Sequence, residues 1–428
     1  MQEDNKISFQ GTLIWLITSL FFVYEFMARV MTGSFQATIM HDLDISIVEF
    51  SLISSTFYQI VYGLMQIPVG FLTDKFGLKT ILTTASLLTT GSIFMFSFVD
   101  SFWAAAISRI LLGLGTAAGF ICVLITVHDW MPRKKMATFI GLSQFIGTLG
   151  PMIAAGPLVS LSIDAEISWR SLFFFISIAG LGLTLLILLF VKNNPNPPQT
   201  YAFRILRKDL SFFVSLRKVF RQRQLWAIAI FSGLNYFAIE YLAENEGISF
   251  LKSCGYSYQF SSYMLTLAWL GYAIGNPLLG LLSDFIKRRN LVMRLGISLC
   301  LGSLLIIFYF PANHIILIAS FFLLGIGSSS ISIAYAVITE QTNDDYRAAA
   351  LGFNNAFVFV VISSIAPIVG QSISHLQASQ GHLTPTMGNY QIGFSAVIIA
   401  VAIGLFISLL GIRETFCKSQ QTPSLLNY

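Results

Sequence analysis

Apolar residues run along this chain in blocks of about twenty, the length a helix needs to cross a bilayer, with short polar turns between them. Twelve blocks fall at 11–38, 49–71, 78–98, 102–127, 137–161, 171–191, 225–250, 261–283, 291–310, 315–338, 348–373 and 391–412. Each predicts one membrane-spanning helix, because a helix satisfies its own backbone polar groups in hydrocarbon. The first block follows Lys6 but has no small-residue cleavage site after it and runs too long for a signal peptide, so it is read as span 1. The pattern stops at 193–199, NNPNPPQ, where prolines end the exiting helix. A stretch with Arg204, Arg207, Lys208, Arg217, Lys218, Arg221 and Arg223 beside Phe203, Leu206, Phe212 and Phe213 follows, which suits a helix lying on an anionic leaflet. The expected fold is an all-α membrane protein of twelve transmembrane helices in two pseudo-symmetric six-helix bundles. These are 1–191 and 225–428, joined by a basic linker, 192–224.

A charged hairpin supports the two-fold reading. GFLTDKFGLK at 70–79 sits between spans 2 and 3, with glycines that permit a tight turn and with Asp74, Lys75 and Lys79 available to neighbouring helix ends. Gly280 and Asp284, in GLLSDFIKRR, repeat the Gly70 and Asp74 spacing 210 residues later, between spans 8 and 9.

Composition narrows the class. Of 428 residues, 55% are hydrophobic and 11% charged, against about 25% charged in soluble domains, which excludes a soluble multi-domain enzyme. The net charge of +5 is topological and not a nucleic-acid footprint. Of 25 basic residues, Arg29 and Arg109 lie within spans and Arg170 and Lys252 in loops of one side. The other 21 share the opposite side, so both termini and the linker are expected in the cytoplasm. Cys122, Cys254, Cys300 and Cys417 are far apart and predict neither a zinc site nor a disulfide framework. No Walker sequence is present and no cofactor or metal is expected, while His128 and Asp129 read as a span-end cap.

The motif Gly70-x-x-x-Asp74-Lys75-x-Gly77-x-Lys79 after span 2 resembles the signature loop of the major facilitator superfamily of transporters, and the second copy resembles it without the later glycine. Arg109 with Gly113 and Gly115, in RILLGLGTAAG, resembles that family's span-4 pattern. The resemblance covers nearly the whole chain and implies a central cavity between bundles that rock to open alternately to each side. Span 1, YEFMARVMTGSF, and the Trp130-x-Pro132-Arg133 exit look closest to the anion-cation symporter branch, which carries sugar acids and other organic anions. That branch usually has acids where this chain has Ala28 and Thr116.

Ionisable residues inside spans cost about 2.5–3.5 kcal/mol on insertion scales and point to function or pairing. Glu25 and Arg29 share a helical face at i, i+4, so Glu25 is one candidate to neutralise Arg29. Arg109 is a candidate either to hold the helix pack or to bind an anion. As the resemblance places spans 1 and 4 at the cavity, Arg29 and Arg109 could together clamp a carboxylate. Glu240 and Glu244 share a face of span 7 and, with Glu25, are the candidates to carry a coupling proton; Glu246 and its neighbours could instead face an outer vestibule. Tyr62, Gln66, Asn276 and Asn354, with Gln59 and Asn355, are candidate polar cavity lining, or helix–helix hydrogen bonds.

Together these features predict a bacterial inner-membrane secondary transporter, working as a monomer, of a small carboxylate-bearing metabolite: an organic acid, sugar acid or amino acid. A proton is the expected co-substrate. GTLGPMIAAGP at 147–157 resembles an antiporter motif and keeps efflux of drug-like or siderophore-like compounds as the alternative. A transporter-shaped receptor would need an extra domain or longer tail than the fifteen residues after Arg413.

Overall fold

A computed structural model describes residues 8–132, 135–193, 212–311, 313–343 and 346–418, and every regular element among them is helical. Span 1 is Phe9–Ser34, continued by Gln36–Leu43. Span 2 joins Ile47–Ser51 to Phe57–Phe76 through a π turn, Leu52–Thr56. Span 3 is Leu78–Phe96; span 4 is Phe102–Thr116 with Gly119–Trp130; span 5 is Met136–Ala154 with Gly156–Asp164; span 6 is Trp169–Phe190. The second half follows the short linker helix Phe212–Arg221. It runs from span 7, Arg223–Glu244 with Gly247–Ser253, through span 8, Tyr258–Ile286, and span 9, Arg289–Tyr309. Span 10 is His314–Ser328 with Ile331–Gln341, span 11 Arg347–Ser379 and span 12 Met387–Leu410.

Eleven of the twelve are long and apolar enough to cross a membrane by length and composition, and Leu78–Phe96 is the one outside that set. It carries seven Ser and Thr residues, and three of their hydroxyls bond to neighbouring helices inside the bundle. Ser86 pairs with Thr184 at 2.7 Å, Ser92 donates to the Ser108 carbonyl at 2.7 Å and Thr90 pairs with Tyr24 at 3.3 Å. Such hydroxyl contacts join helices where lipid offers no hydrophobic contrast. The spans begin where short polar side chains precede apolar runs: Ser101, Ser168 and Ser257 each accept a hydrogen bond from the third helical amide.

The halves repeat each other in detail. Spans 4 and 10 both break directly after a Gly-x-Gly-hydroxyl sequence, ending at Thr116 and Ser328. Side chains at Gly113 and Gly325 would collide with the backbones of spans 2 and 8, and at Gly115 and Gly327 with those of spans 3 and 9. The hairpins repeat too. Gly77 has φ 84° and ψ 155°, and Lys287, 210 residues on, also takes a positive φ, 57°, there in the left-handed helical region at ψ 32°. In the first hairpin the Lys79 amide donates to Asn193 Oδ1 at 2.9 Å and Lys75 is exposed. Gly70 is buried, and Asp74 lies in the last turn of span 2 with its side chain outside the described residues. In the second, Asp284 pairs with Arg289 at 2.7 Å, while a side chain at Gly280 would meet open space.

The halves meet where span 1 packs on span 7, span 2 on span 11 and span 5 on span 8. At the face opposite the hairpins, here the far face, Gln259 of span 8 donates to Ser160 of span 5 at 2.9 Å, and Tyr258 donates to the Ser34 carbonyl of span 1. The break in span 5 before Gly156 frees its amide to donate to Thr266 of span 8 at 2.8 Å.

Candidate substrate and coupling site

Arg29 sits in the last turns of span 1, 4% exposed, and its guanidinium crosses to the other half. Its Nη2 lies 2.8 Å from Glu240 Oε1 and donates to Tyr236 Oη at 2.9 Å, while Nε is 3.3 Å from Glu244 Oε1. Tyr236, Glu240 and Glu244 are spaced i, i+4, i+8, so one stripe of span 7 supplies all three. Span 2 closes the cage, with Gln59 Nε2 donating to Glu244 Oε2 at 2.6 Å. The Phe26 ring lies 4.0 Å beneath the guanidinium, a cation–π contact, and Phe359 of span 11 is 5.8 Å away. One guanidinium thus faces two fully buried carboxylates in an aromatic enclosure.

Glu25 is also buried, one turn below Arg29, with its side chain against Gly119 of span 4. The ion pairs described for Arg29 run to Glu240 and Glu244, across the halves, and none runs to Glu25.

Arg109 is placed differently. Its Nε donates to the Ile53 carbonyl at 2.9 Å, and its Nη2 to the carbonyls of Ser54 at 2.6 Å and Arg29 at 3.3 Å. Its Nη1 donates to the Ala28 carbonyl at 3.4 Å, and its Cζ stacks 4.6 Å from the Tyr58 ring. Ile53 and Ser54 belong to the π turn of span 2, whose widened geometry displaces carbonyls from the regular ladder. Arg109 therefore clips spans 1, 2 and 4 together inside one half. Thr116, at the second acid-for-hydroxyl position, donates to the Tyr58 hydroxyl at 3.1 Å.

The polar lining forms a second bridge nearer the hairpins. Gln66 Oε1 accepts from Asn355 Nδ2 at 3.0 Å, and Asn355 Oδ1 accepts from Tyr335 at 2.9 Å. Tyr62 packs edge-on against Phe359 with centroids 4.6 Å apart. Asn354 is buried beside this bridge, and half-buried Asn276 donates to its own helix at the Tyr272 carbonyl, 2.8 Å. Tyr272 and Trp269 of span 8 adjoin Tyr236, adding an aromatic wall that sequence reading did not single out. Tyrosines and tryptophans recurring inside apolar spans were the available signal.

The comparisons agree with this architecture. Residues 17–251 and 247–423 match the model of the Major Facilitator Superfamily. The chain is 24% identical over 392 residues to the probable L-galactonate transporter of Escherichia coli, covering 86% of this chain and 84% of that protein. It is 25% identical over 430 residues to the probable sulfoacetate transporter of Cupriavidus necator, covering 95% and 94%. Among solved structures, a bacterial homologue of the lysosomal transporter Spinster, inward-facing and unoccupied, superposes with TM-score 0.79 at 16% identity, covering 97% of this chain and 100% of that one. A D-xylose–proton symporter gives 0.72 at 17% identity, covering 95% and 99%. With its two helical halves, its repeated hairpin and a family match spanning nearly the whole length, this chain belongs to the Major Facilitator Superfamily of membrane transporters.

Proposed function

We propose that this protein is a proton-coupled secondary transporter of a small carboxylate-bearing metabolite, working by alternating access in a bacterial inner membrane with both termini and the linker in the cytoplasm. The observation that carries the proposal is the Arg29 cage. A guanidinium is the side chain best shaped to take a carboxylate by its two-pronged fork, and here the fork is already held by Glu240 and Glu244. A substrate carboxylate entering beside them would make three anions around one cation in a buried site. Protonating Glu240 or Glu244 removes that conflict: the neutral acid leaves Arg29, and the substrate takes its place. Proton and carboxylate then bind together, and because the cage bridges spans 1 and 7, the exchange also changes how the halves are held. The relatives named for galactonate and sulfoacetate support an organic acid, and an amino acid would fit if a glutamate received its ammonium group.

Purified protein in proteoliposomes tests the scheme. Glu240→Gln and Glu244→Gln are expected to abolish accumulation driven by a pH gradient while leaving substrate-for-substrate exchange. Arg29→Lys should weaken substrate binding about tenfold or more, since an ammonium cannot reproduce the planar fork. Normal gradient-driven uptake by both glutamine variants would sink the role given to span 7 and leave Glu25 to carry the proton.

A further inference from the structure

Just past the cage, span 7 breaks. Asn245 leaves helical geometry at φ −129°, ψ −117°, and a short helix, Gly247–Ser253, restarts with Glu246 at its head. The break docks onto the other half at the far face. Asn245 Oδ1 accepts from Ser54 Oγ at 2.7 Å and its Nδ2 donates to Ser55 Oγ at 2.9 Å, both in the π turn that Arg109 clips. On the other flank, Gln36 donates to Glu246 Oε1 at 3.4 Å and accepts from Ser249 Oγ at 2.7 Å.

Glu246 lies inside this seal at 0% exposure. The groups facing it are Tyr241 of span 7, Ser51 of span 2, Gln36 beyond span 1 and Tyr390 of span 12. None is a cation, and the ion pairs described include none to Glu246. Glu244, two residues earlier, has Arg29 and Gln59 as partners. An unpaired carboxylate taken out of water is costly, so the enclosure selects the neutral acid. Separating Gln36 and the π turn from the span-7 break would admit water and restore the ordinary carboxylate.

We propose that Glu246 is a second proton-binding site, separate from the Arg29 cage, that holds the far-face seal shut when it carries a proton and releases it when ionised. The sign follows from linkage. The enclosed, sealed state binds the proton more tightly than the open one, so sealing strengthens as pH falls toward the ordinary carboxylate range. The gain levels off near the ordinary glutamate value of about 4.3. On the orientation proposed above, the far face is outside, and the proton would come from there. The inference rests on alternating access but not on the substrate or on Arg29 chemistry.

Spin labels at Asp164→Cys and Ala378→Cys, exposed far-face positions on the two halves, would report the separation by pulsed electron resonance in nanodiscs, with half-buried Cys254 and Cys417 replaced by Ser. In the otherwise unchanged protein the open-to-sealed ratio should rise roughly tenfold or more from pH 5.5 to pH 8. Glu246→Gln should stay sealed and change less than twofold, whereas Asp42→Asn, at an exposed far-face acid outside the cage, should keep the response. Should Glu246→Gln fail to fold, Gln36→Ala, which keeps the acid but admits water to it, should move the response to lower pH. A response untouched by Glu246→Gln or by Gln36→Ala would overturn the Glu246 site alone. A separation fixed at every pH, with and without substrate, would overturn alternating access as well.

Discussion

Arg29 and Arg109 are the same residue type, are nearly equally buried at 4% and 2% exposure, and meet where Arg109 donates to the Arg29 carbonyl, yet they face opposite chemistries. Arg29 reaches across the halves to two carboxylates, which can take up a proton and let go. Arg109 hydrogen-bonds only carbonyl oxygens within its own half among the described contacts, and these cannot change charge; it meets Glu244 through space and not by a hydrogen bond. A buried guanidinium among titratable partners can act as a switch; one among backbone carbonyls is a fixture. What separates the two is the partner set, not depth or charge.

The largest expected effect tests the fixture. Arg109→Ala strands several buried carbonyls, each costing about 1–3 kcal/mol when unmet, so little folded protein should be recovered and its thermal unfolding should drop steeply. Arg109→Lys should restore only part, and no substitution of a glutamate should help. Arg29→Ala should also destabilise, by about 3–5 kcal/mol, because it leaves buried charge unpaired. Here, however, adding Glu240→Gln and Glu244→Gln should recover much of the loss, read as a mutant cycle of melting temperatures. Rescue of Arg109→Ala by the same pair, or no rescue of Arg29→Ala, would erase the distinction.

The same contrast explains what was legible in the sequence. Twelve apolar runs predicted twelve spans because each span's signal is local, and even Leu78–Phe96 was found despite its hydroxyl content. Arg29, Glu240 and Glu244 were legible as intramembrane charges. Their pairing was not, since local spacing offered Glu25 four residues away while the chosen partners lie more than two hundred residues on. Arg109 was harder. Its acceptors are carbonyls freed by a π turn in Leu52–Thr56, a stretch without proline or glycine to mark it. Backbone acceptors leave no trace in side-chain identity. The basic stretch before span 7 was legible as an amphipathic helix, and Phe212–Arg221 is helical, whereas Arg204, Arg207 and Lys208 lie outside the described residues.

A smaller effect is expected from backbone contact between the halves. Gly33 of span 1 lies against the backbone of Ala243 and Glu244, and an added methyl there would collide with it. Gly150 of span 5 lies equally close to span 1 at Val23, but within one half. Overpacking costs about 1–3 kcal/mol at either site, with different readouts. Gly33→Ala should shift the far face toward open in the spin-label measurement with little change in melting. Gly150→Ala should lower the melting temperature and leave the open-to-sealed ratio alone.

The smallest effect compares two far-face acids, one buried and one exposed. Glu246 is enclosed without a cation, whereas Asp42, in the helix Gln36–Leu43 beyond span 1, accepts from the Trp169 indole at 2.8 Å. That hydrogen bond holds the Asp42 carboxyl below its usual value of 3.8. A lowered folded-state value stabilises the fold above the ordinary carboxylate range, and this contribution fades as pH falls through the lowered value. Asp42→Asn keeps the shape and an acceptor for Trp169 but removes the charge, so it should cost about 1 kcal/mol or less at neutral pH. The difference from the unchanged protein should vanish in strong acid, where both side chains are neutral, as melting curves at several pH values would show. Between pH 5.5 and pH 8 Asp42 stays ionised, so Asp42→Asn should leave the far-face response intact while Glu246→Gln removes it. Loss of that response in Asp42→Asn would move the proton sensor from the buried acid to the exposed one.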